Sequence, residues 1–222
     1  MQKINTRVLM SGVDFFSVEE LNPYSDKNDQ PNLEKAKQEF LSIKTALEQA
    51  GVEVVQVDSP PGCQDGVYTA NWALTRGNKA ILSSLPNLRQ GEEPYARKAL
   101  EDLGFEVITP PHRFSGQGDA LPCGNVVFAG QTYRSDPRMH KFVADTLGFE
   151  VISLETVPEL DSDGKPVINA VTGWPDSFFY DIDLSISILR PDLIAWCPDA
   201  FTPESQAKMR AFTGVEKIEV SF

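Results

Sequence analysis

Positive charge is scarce in this sequence: 20 Lys and Arg stand against 32 Asp and Glu, a net charge of −12. Nucleic acid is a poor partner for such a chain, because phosphate binding needs clustered basic side chains. No apolar run approaches the length of a membrane span, and the first residues lack the apolar stretch of an export signal. A cytoplasmic protein without a membrane partner is therefore expected. Cysteine is sparse too. Cys63, Cys123 and Cys197 are odd in number, widely spaced and in no metal-ligand pattern, so they read as free, mostly buried thiols. The two histidines, His112 in a loop and His140 in a helical stretch, read as solvated side chains and weak candidates for a catalytic base. No metal or cofactor is called for.

What is present is an ordinary globular composition, 41% hydrophobic and 23% charged over 222 residues, enough for a substantial core. Its most informative feature is a repeat. Gly51-Val52-Glu53-Val54-Val55, Gly104-Phe105-Glu106-Val107-Ile108, Gly148-Phe149-Glu150-Val151-Ile152 and Gly214-Val215-Glu216-Lys217-Ile218 are near copies. Each follows an amphipathic stretch of helical period, so each glycine reads as the residue that ends a helix before a return strand.

The first unit opens with a strand at Arg7-Val8-Leu9-Met10 and a polar loop through Asn22-Pro23. A helix follows, its apolar face formed by Leu33, Ala36, Phe40, Ile43 and Leu47. The second has strands at Val67–Ala70 and Lys79–Leu82 around a turn at Arg76-Gly77-Asn78, then a helix carrying Ala96, Ala99, Leu100 and Leu103. The third has strands at Ala120-Leu121 and Asn125–Ala129, a turn from Pro122 to Gly124, and a helix starting near Ser135-Asp136-Pro137 that presents Met139, Val143 and Leu147. The fourth follows a polar, mobile loop from Leu160 to Val167. Its strands are Ile182–Leu189 and Leu193–Cys197, and Thr202-Pro203-Glu204 opens its helix. The pattern strand, strand, helix, strand recurs too irregularly for a stacked solenoid and fits similar blades closed around an axis.

Three motifs then carry a resemblance: Gln64-Asp65-Gly66-Val67-Tyr68-Thr69-Ala70-Asn71, Arg113-Phe114-Ser115-Gly116-Gln117-Gly118-Asp119-Ala120-Leu121, and Phe179-Tyr180-Asp181-Ile182-Asp183-Leu184. In that order, separated by the repeats, they resemble the pentein superfamily of guanidine-modifying enzymes, which includes dimethylarginine dimethylaminohydrolases, arginine deiminases and amidinotransferases. The resemblance implies an α/β fold, a five-bladed αβ-propeller with a central site. There a cysteine thiolate attacks a guanidinium carbon, a histidine moves the proton, a carboxylate orients the histidine, and further acids hold the cation. On this reading residues 1–222 form one domain, with units near 1–60, 61–111, 112–156 and 157–222. Four of five expected units are present, and the domain is expected to be incomplete at its C-terminal end.

Residue by residue, the resemblance gives Asp65, Asn71 and Asp119 as substrate-binding positions. Turn caps on a blade are the bland alternative for Asp65 and Asp119. Gly116 and Gly118 read as positions of positive φ or close approach. Asp181 stands at the family histidine and Ser115 at the family glutamate. A carboxylate lacks the near-neutral pKa of imidazole, although burial beside other acids can raise it. The two replacements belong together, since a glutamate beside Asp181 makes a costly like-charge pair. No cysteine matches the nucleophile's position. Cys63, two residues before Asp65, is the outside candidate, and Trp72 reads as core. Three functions stay open. The first is a binder of arginine-like guanidino compounds with impaired or lost catalysis. The second is an active hydrolase or amidinotransferase whose cysteine lies beyond residue 222. The third is a non-catalytic structural or partner-binding propeller, with association of copies through an open sheet edge.

Overall fold

The computed structural model of the chain describes residues 5–19, 26–85, 87–131, 133–170, 173 and 175–222; the expected loop at Asn22-Pro23 lies outside them. Four small sheets follow one another along the chain. The first is a parallel pair, β1 (Arg7–Ser11) with β2 (Glu53–Val57), bridged by helix α1 (Leu33–Gln49). Asn32 caps α1 by accepting from Lys35 N. The next three repeat one plan: an antiparallel hairpin, a helix, and a strand returning parallel to the second hairpin strand. They comprise β3 (Ala73–Arg76), β4 (Lys79–Leu82), α2 (Glu93–Asp102) and β5 (Glu106–Ile108); β6 (Ala120–Cys123), β7 (Val126–Gly130), α3 (Arg138–Leu147) and β8 (Glu150–Leu154); and β9 (Ile186–Arg190), β10 (Leu193–Trp196), α4 (Pro203–Ala211) and β11 (Glu216–Glu219).

The repeated glycines do what their spacing suggests in three units. Gly51, Gly104 and Gly148 have φ of 76°, 86° and 71°, the left-handed turn by which a helix hands over to its return strand. Gly214 differs. Helix α4 stops at Phe212 in extended conformation, and Gly214 has no positive φ.

Several expected boundaries move. Residues 67–70 are not a strand: the chain there makes turns and a 3₁₀ segment, Thr69–Trp72, and β3 begins at Ala73. Residues 182–184 are likewise 3₁₀, with β9 starting at Ile186. These two segments carry Asn71 and border Asp181, so irregular backbone lies where the motifs lie. Pro122 and Cys123 belong to β6 rather than to the turn, which Gly124 makes with φ of 62°. Of the α1 face only Phe40 is buried, while Leu33 and Ile43 are exposed. The 160–167 loop is closed by an isolated bridge from Leu160 to Pro166.

Core packing joins each sheet to the next. Leu9 and Val57 of the first sheet pack on the cluster around Trp72, Ala80, Leu82 and Leu100. Leu74 and Ile81 of the second meet Val127, Met139 and Val143 of the third. Phe128 and Leu154 of the third meet Ile194, Trp196, Phe201 and Met209 of the fourth. Among the described residues, no helix is long and apolar enough to cross a membrane.

Met139 is fully buried at the junction of the second and third sheets. Met139→Ala is expected to lower unfolding stability by about 2–5 kcal/mol, read as a shift of the urea midpoint with an unchanged m-value.

Candidate functional site

Three of the five residues singled out by sequence meet directly. The Asn71 amide Nδ2 donates to Asp181 Oδ2 at 3.0 Å, to Ser115 Oγ at 3.0 Å and to the Ser115 carbonyl at 3.1 Å. The Ser115 hydroxyl donates to the same Asp181 oxygen at 3.2 Å. Residues from three units thus converge on one carboxylate, and all three are buried. The approach depends on glycine. A Cβ at Gly118 would lie 2.2 Å from Asn71 Nδ2, and one at Gly116, where φ is 62°, would lie 2.5 Å from Ser83 Oγ.

Asp119 is buried beside this cluster and accepts from the backbone N–H of Ile182 at 3.2 Å. Its oxygen lies 1.9 Å from where a Gly130 Cβ would stand, so the end of β7 must be glycine for the carboxylate to fit. Asp119 is therefore more than an exposed turn cap: it ties the 3₁₀ segment before β6 to the one before β9. Burial pushes its carboxyl well above the usual carboxylate range, and the neighbouring Asp181 pushes it further. Burial also raises Asp181, against the opposing pull of Arg134, Ser115, Arg89 and Asn71. Asp181 Oδ1 is buried with no hydrogen-bond partner among the described residues.

Asp65 stands apart from this trio but is linked to it through Arg89. The guanidinium Nε lies 3.8 Å from Asp65 Oδ2, Nη2 donates to the Asp65 carbonyl at 3.4 Å, and Nη1 donates to Asn71 Oδ1 at 3.1 Å. Burial raises the Asp65 carboxyl and Arg89 opposes the rise. A second cation, Arg134, stacks on the Tyr180 ring at 4.5 Å and acts electrostatically on both Asp65 and Asp181. Sequence reading missed Arg89, Arg134 and the buried Glu92. Each stands outside the three motifs, and a single arginine in a loop looks like solvated surface until the fold turns it inward.

Asp183, two residues beyond Asp181, lines a cavity of about 640 Å³ together with Ala70, Gln117, Thr75 and Ser187. It keeps contact with solvent, yet partial burial and then the Asp181 charge raise its carboxyl to about 7. A second cavity of about 360 Å³ shares Ala70, Thr75 and Gln117 with the first. Asp119 and Asp181 line neither.

The other candidates fall away from this cluster. Cys63 Sγ contacts the Pro61 carbonyl at 3.8 Å and the thiol is raised, by burial first, which disfavours the nucleophilic thiolate. Cys123 ends β6 rather than lying in a turn, and it and Cys197 are buried. His140 is not simply solvated: its Nε2 lies 2.9 Å from the Gly130 carbonyl and burial lowers its pKa. His112 acts electrostatically on Asp136. Trp72 is core, 2% exposed. Among the described residues, no group of three His, Cys, Asp or Glu is arranged to hold a metal ion.

The family model described as "N,N dimethylarginine dimethylhydrolase, eukaryotic" matches residues 16–170. This chain belongs to that family, within the pentein superfamily. It is 28% identical over 208 residues to N(G),N(G)-dimethylarginine dimethylaminohydrolase of Mycobacterium tuberculosis, covering 92% of this chain and 63% of that one. It is 33% identical over 202 residues to the bifunctional arginine dihydrolase/ornithine cyclodeaminase ArgZ of Synechocystis, covering 88% of this chain and 26% of that one. The crystal structure of the product-bound N-terminal domain of ArgZ superposes with a TM-score of 0.83 at 27% identity, over 98% of this chain and 76% of that one. The chain therefore spans less than two thirds of the length of these curated relatives. The mixed α/β fold is that of pentein dimethylarginine and arginine hydrolases, enzymes that modify guanidino groups.

The raised carboxyl of Asp183 makes a pH prediction with a definite sign. An acid whose folded pKa lies above its unfolded value holds its proton in the fold where the unfolded chain has released it, so stability falls as pH rises from about 4 to 7. Asp183→Asn is expected to flatten that fall. Urea unfolding at pH 5 and pH 8 measures it: the wild-type chain loses more stability between the two than the variant does.

Proposed function

We propose that this protein binds arginine or a related guanidino compound at the site around Asp65, Asn71, Asp119 and Asp181, and that the family's covalent hydrolysis is impaired or lost in it. The observation that carries this reading is the Asn71–Ser115–Asp181 network. In the family resemblance, residue 181 is the imidazole that returns a proton to the leaving amine, and residue 115 is the carboxylate that orients it. Here the first is a buried carboxylate with a raised pKa and the second a hydroxyl that donates to it. Neither histidine takes over: His140 is engaged by the Gly130 carbonyl and His112 lies beside Asp136. A carboxylate is ordinarily a weaker base than imidazole near pH 7, which supports impaired proton transfer at residue 181.

Binding is better provided for than cleavage. Four acidic side chains act on one another or on shared arginines, Asp119, Asp181 and Asp183 directly and Asp65 through Arg89 and Arg134, and a planar cation is well matched to carboxylates. Arg89 and Arg134 bring positive charge to the same region, so a ligand with a carboxylate as well as a guanidinium meets complementary charge at both ends. That polarity supports an amino acid of the arginine kind over a simple guanidine. The names of the relatives point the same way, since one acts on dimethylarginine and another is an arginine dihydrolase. The four sheets are read as blades of a pentein propeller forming a single domain with its site near the shared axis.

Calorimetric titration with L-arginine and asymmetric dimethylarginine tests binding, and release of citrulline, ammonia or dimethylamine tests hydrolysis. Saturable binding without turnover is expected. Turnover at rates ordinary for enzymes, about 1 s⁻¹ or faster, defeats the loss of catalysis; absence of binding to either compound defeats the proposal as a whole. Asp65→Asn is expected to weaken L-arginine binding by about tenfold, the worth of one charge-assisted hydrogen bond.

A further inference from the structure

Glu92 is 1% exposed and stands just before helix α2, a place where a carboxylate commonly caps the helix. It makes no side-chain cap bond there. Its carboxylate turns inward instead. Oε1 accepts from Arg89 Nε at 2.8 Å, while Oε2 accepts from Arg89 Nη2 at 3.0 Å and from the Trp72 indole N–H at 3.0 Å. This is the two-pronged carboxylate–guanidinium pair, and the indole supplies a third donor. Both partners are also withdrawn from water: Trp72 is 2% exposed and the Arg89 side chain 11%.

With its Nε edge fixed on Glu92, the Arg89 fork has one geometry left. Its Nη1 meets Asn71 Oδ1 at 3.1 Å. A primary amide has an acceptor at one end and donors at the other, so fixing Oδ1 on the guanidinium aims Nδ2 at Ser115 and Asp181. The flipped amide would set donor against donor at Arg89 and acceptor against carboxylate at Asp181.

We propose that Glu92 is a positioning residue of the guanidino site: with Trp72 it fixes the Arg89 fork, and through that fork it sets which way the Asn71 amide faces. The proposal extends the binding function above, but the orientation of Asn71 is a property of the ligand-free protein and stands on its own. Glu92 touches neither ligand nor reacting atoms. Glutamine at this position keeps the shape, loses the charge and retains a single acceptor for three donors.

The test compares the full chain with Glu92→Gln by NMR without ligand and by calorimetry with L-arginine. In the wild type, nuclear Overhauser contacts are expected between the Asn71 side-chain amide protons and the Ser115 Hβ protons. In Glu92→Gln those contacts weaken or vanish, and L-arginine affinity falls about tenfold. Arg89→Ala combined with Glu92→Gln is expected to bind no more weakly than Arg89→Ala alone, because both changes act through one fork. Should Glu92→Gln fail to fold, Trp72→Phe removes one donor and leaves the ion pair, and a smaller change of the same contacts is expected. Unchanged Asn71 contacts in a folded variant overturn the proposal, even if L-arginine affinity drops. If the wild type binds no L-arginine, the binding function fails, while the Asn71 contacts still decide the role of Glu92.

Discussion

The buried carboxylate of Asp181 is the constraint around which the site is arranged. Removing a carboxylate from water is expensive unless donors replace its hydration. Two side chains from two other units supply them, Asn71 through its amide and Ser115 through its hydroxyl, both to one oxygen. The second oxygen has no donor among the described residues, and burial drives the group toward its neutral form. Each donor needs room to come within 3.2 Å or less, and part of that room comes from Gly118, whose Cβ would collide with Asn71 Nδ2, while Gly116 lets the same segment lie against Ser83 and the Ala70 carbonyl. The short 3₁₀ segments at Thr69–Trp72, Gly116–Gly118 and Ile182–Leu184 follow from the same demand. Extended backbone there would send alternate side chains to opposite faces, whereas a tight turn brings Asn71, Ser115 and Asp181 to one point.

Charge is distributed unevenly as a consequence. The chain carries a net −12, yet its centre is not an uncompensated acidic hole. Arg89 lies between Asp65 and Glu92, and Arg134 lies on the Tyr180 ring within electrostatic reach of Asp65 and Asp181. Burial alone lowers the Arg89 pKa, but its bonds to Glu92 more than reverse this, so the guanidinium stays charged within the protein. Asp119 is within electrostatic reach of Arg113, and the Ser135 hydroxyl and the Ile182 N–H favour its charged form, yet burial and the neighbouring Asp181 still hold its carboxyl well above the usual range.

The repeat was legible because helix ends and return strands announce themselves locally. A glycine after an amphipathic run, followed by Glu-Val-Ile or its like, located three helix-to-strand turns in the chain. Met139, Val143 and Leu147 emerged as a buried face for the same reason. The reading failed where local pattern and tertiary demand disagree. Val67-Tyr68-Thr69-Ala70 has the composition of a strand, but it coils so that Thr69 Oγ1 can reach the Leu9 carbonyl and Asn71 can turn inward. Gly214 copied the motif without the conformation, since the Phe212 ring lies against it at 2.4 Å from a Cβ position. Within the site, Asn71, Ser115 and Asp181 were found through the motifs. Arg89, Arg134 and Glu92 have no short-range signature, because what makes them matter is the distance to residues 18 or more positions away, or the core they point into.

The relation of Ser115 to Asp181 gives a physical sense to the departure that the family resemblance implies at these two positions. An imidazolium oriented by a glutamate places a donor at the first position and an acceptor at the second. Here the polarity runs the other way, with the acceptor at Asp181 and the donor at Ser115. A glutamate at 115 facing Asp181 would set two carboxylates face to face, a buried like-charge pair. The two replacements are coherent as a pair, and Asn71 serves the result, since its Nδ2 donates to both. A carboxylate–hydroxyl–amide cluster of this kind is a good structural clasp. Asp181 Oδ1, without a hydrogen-bond partner among the described residues, is the acceptor this clasp leaves over.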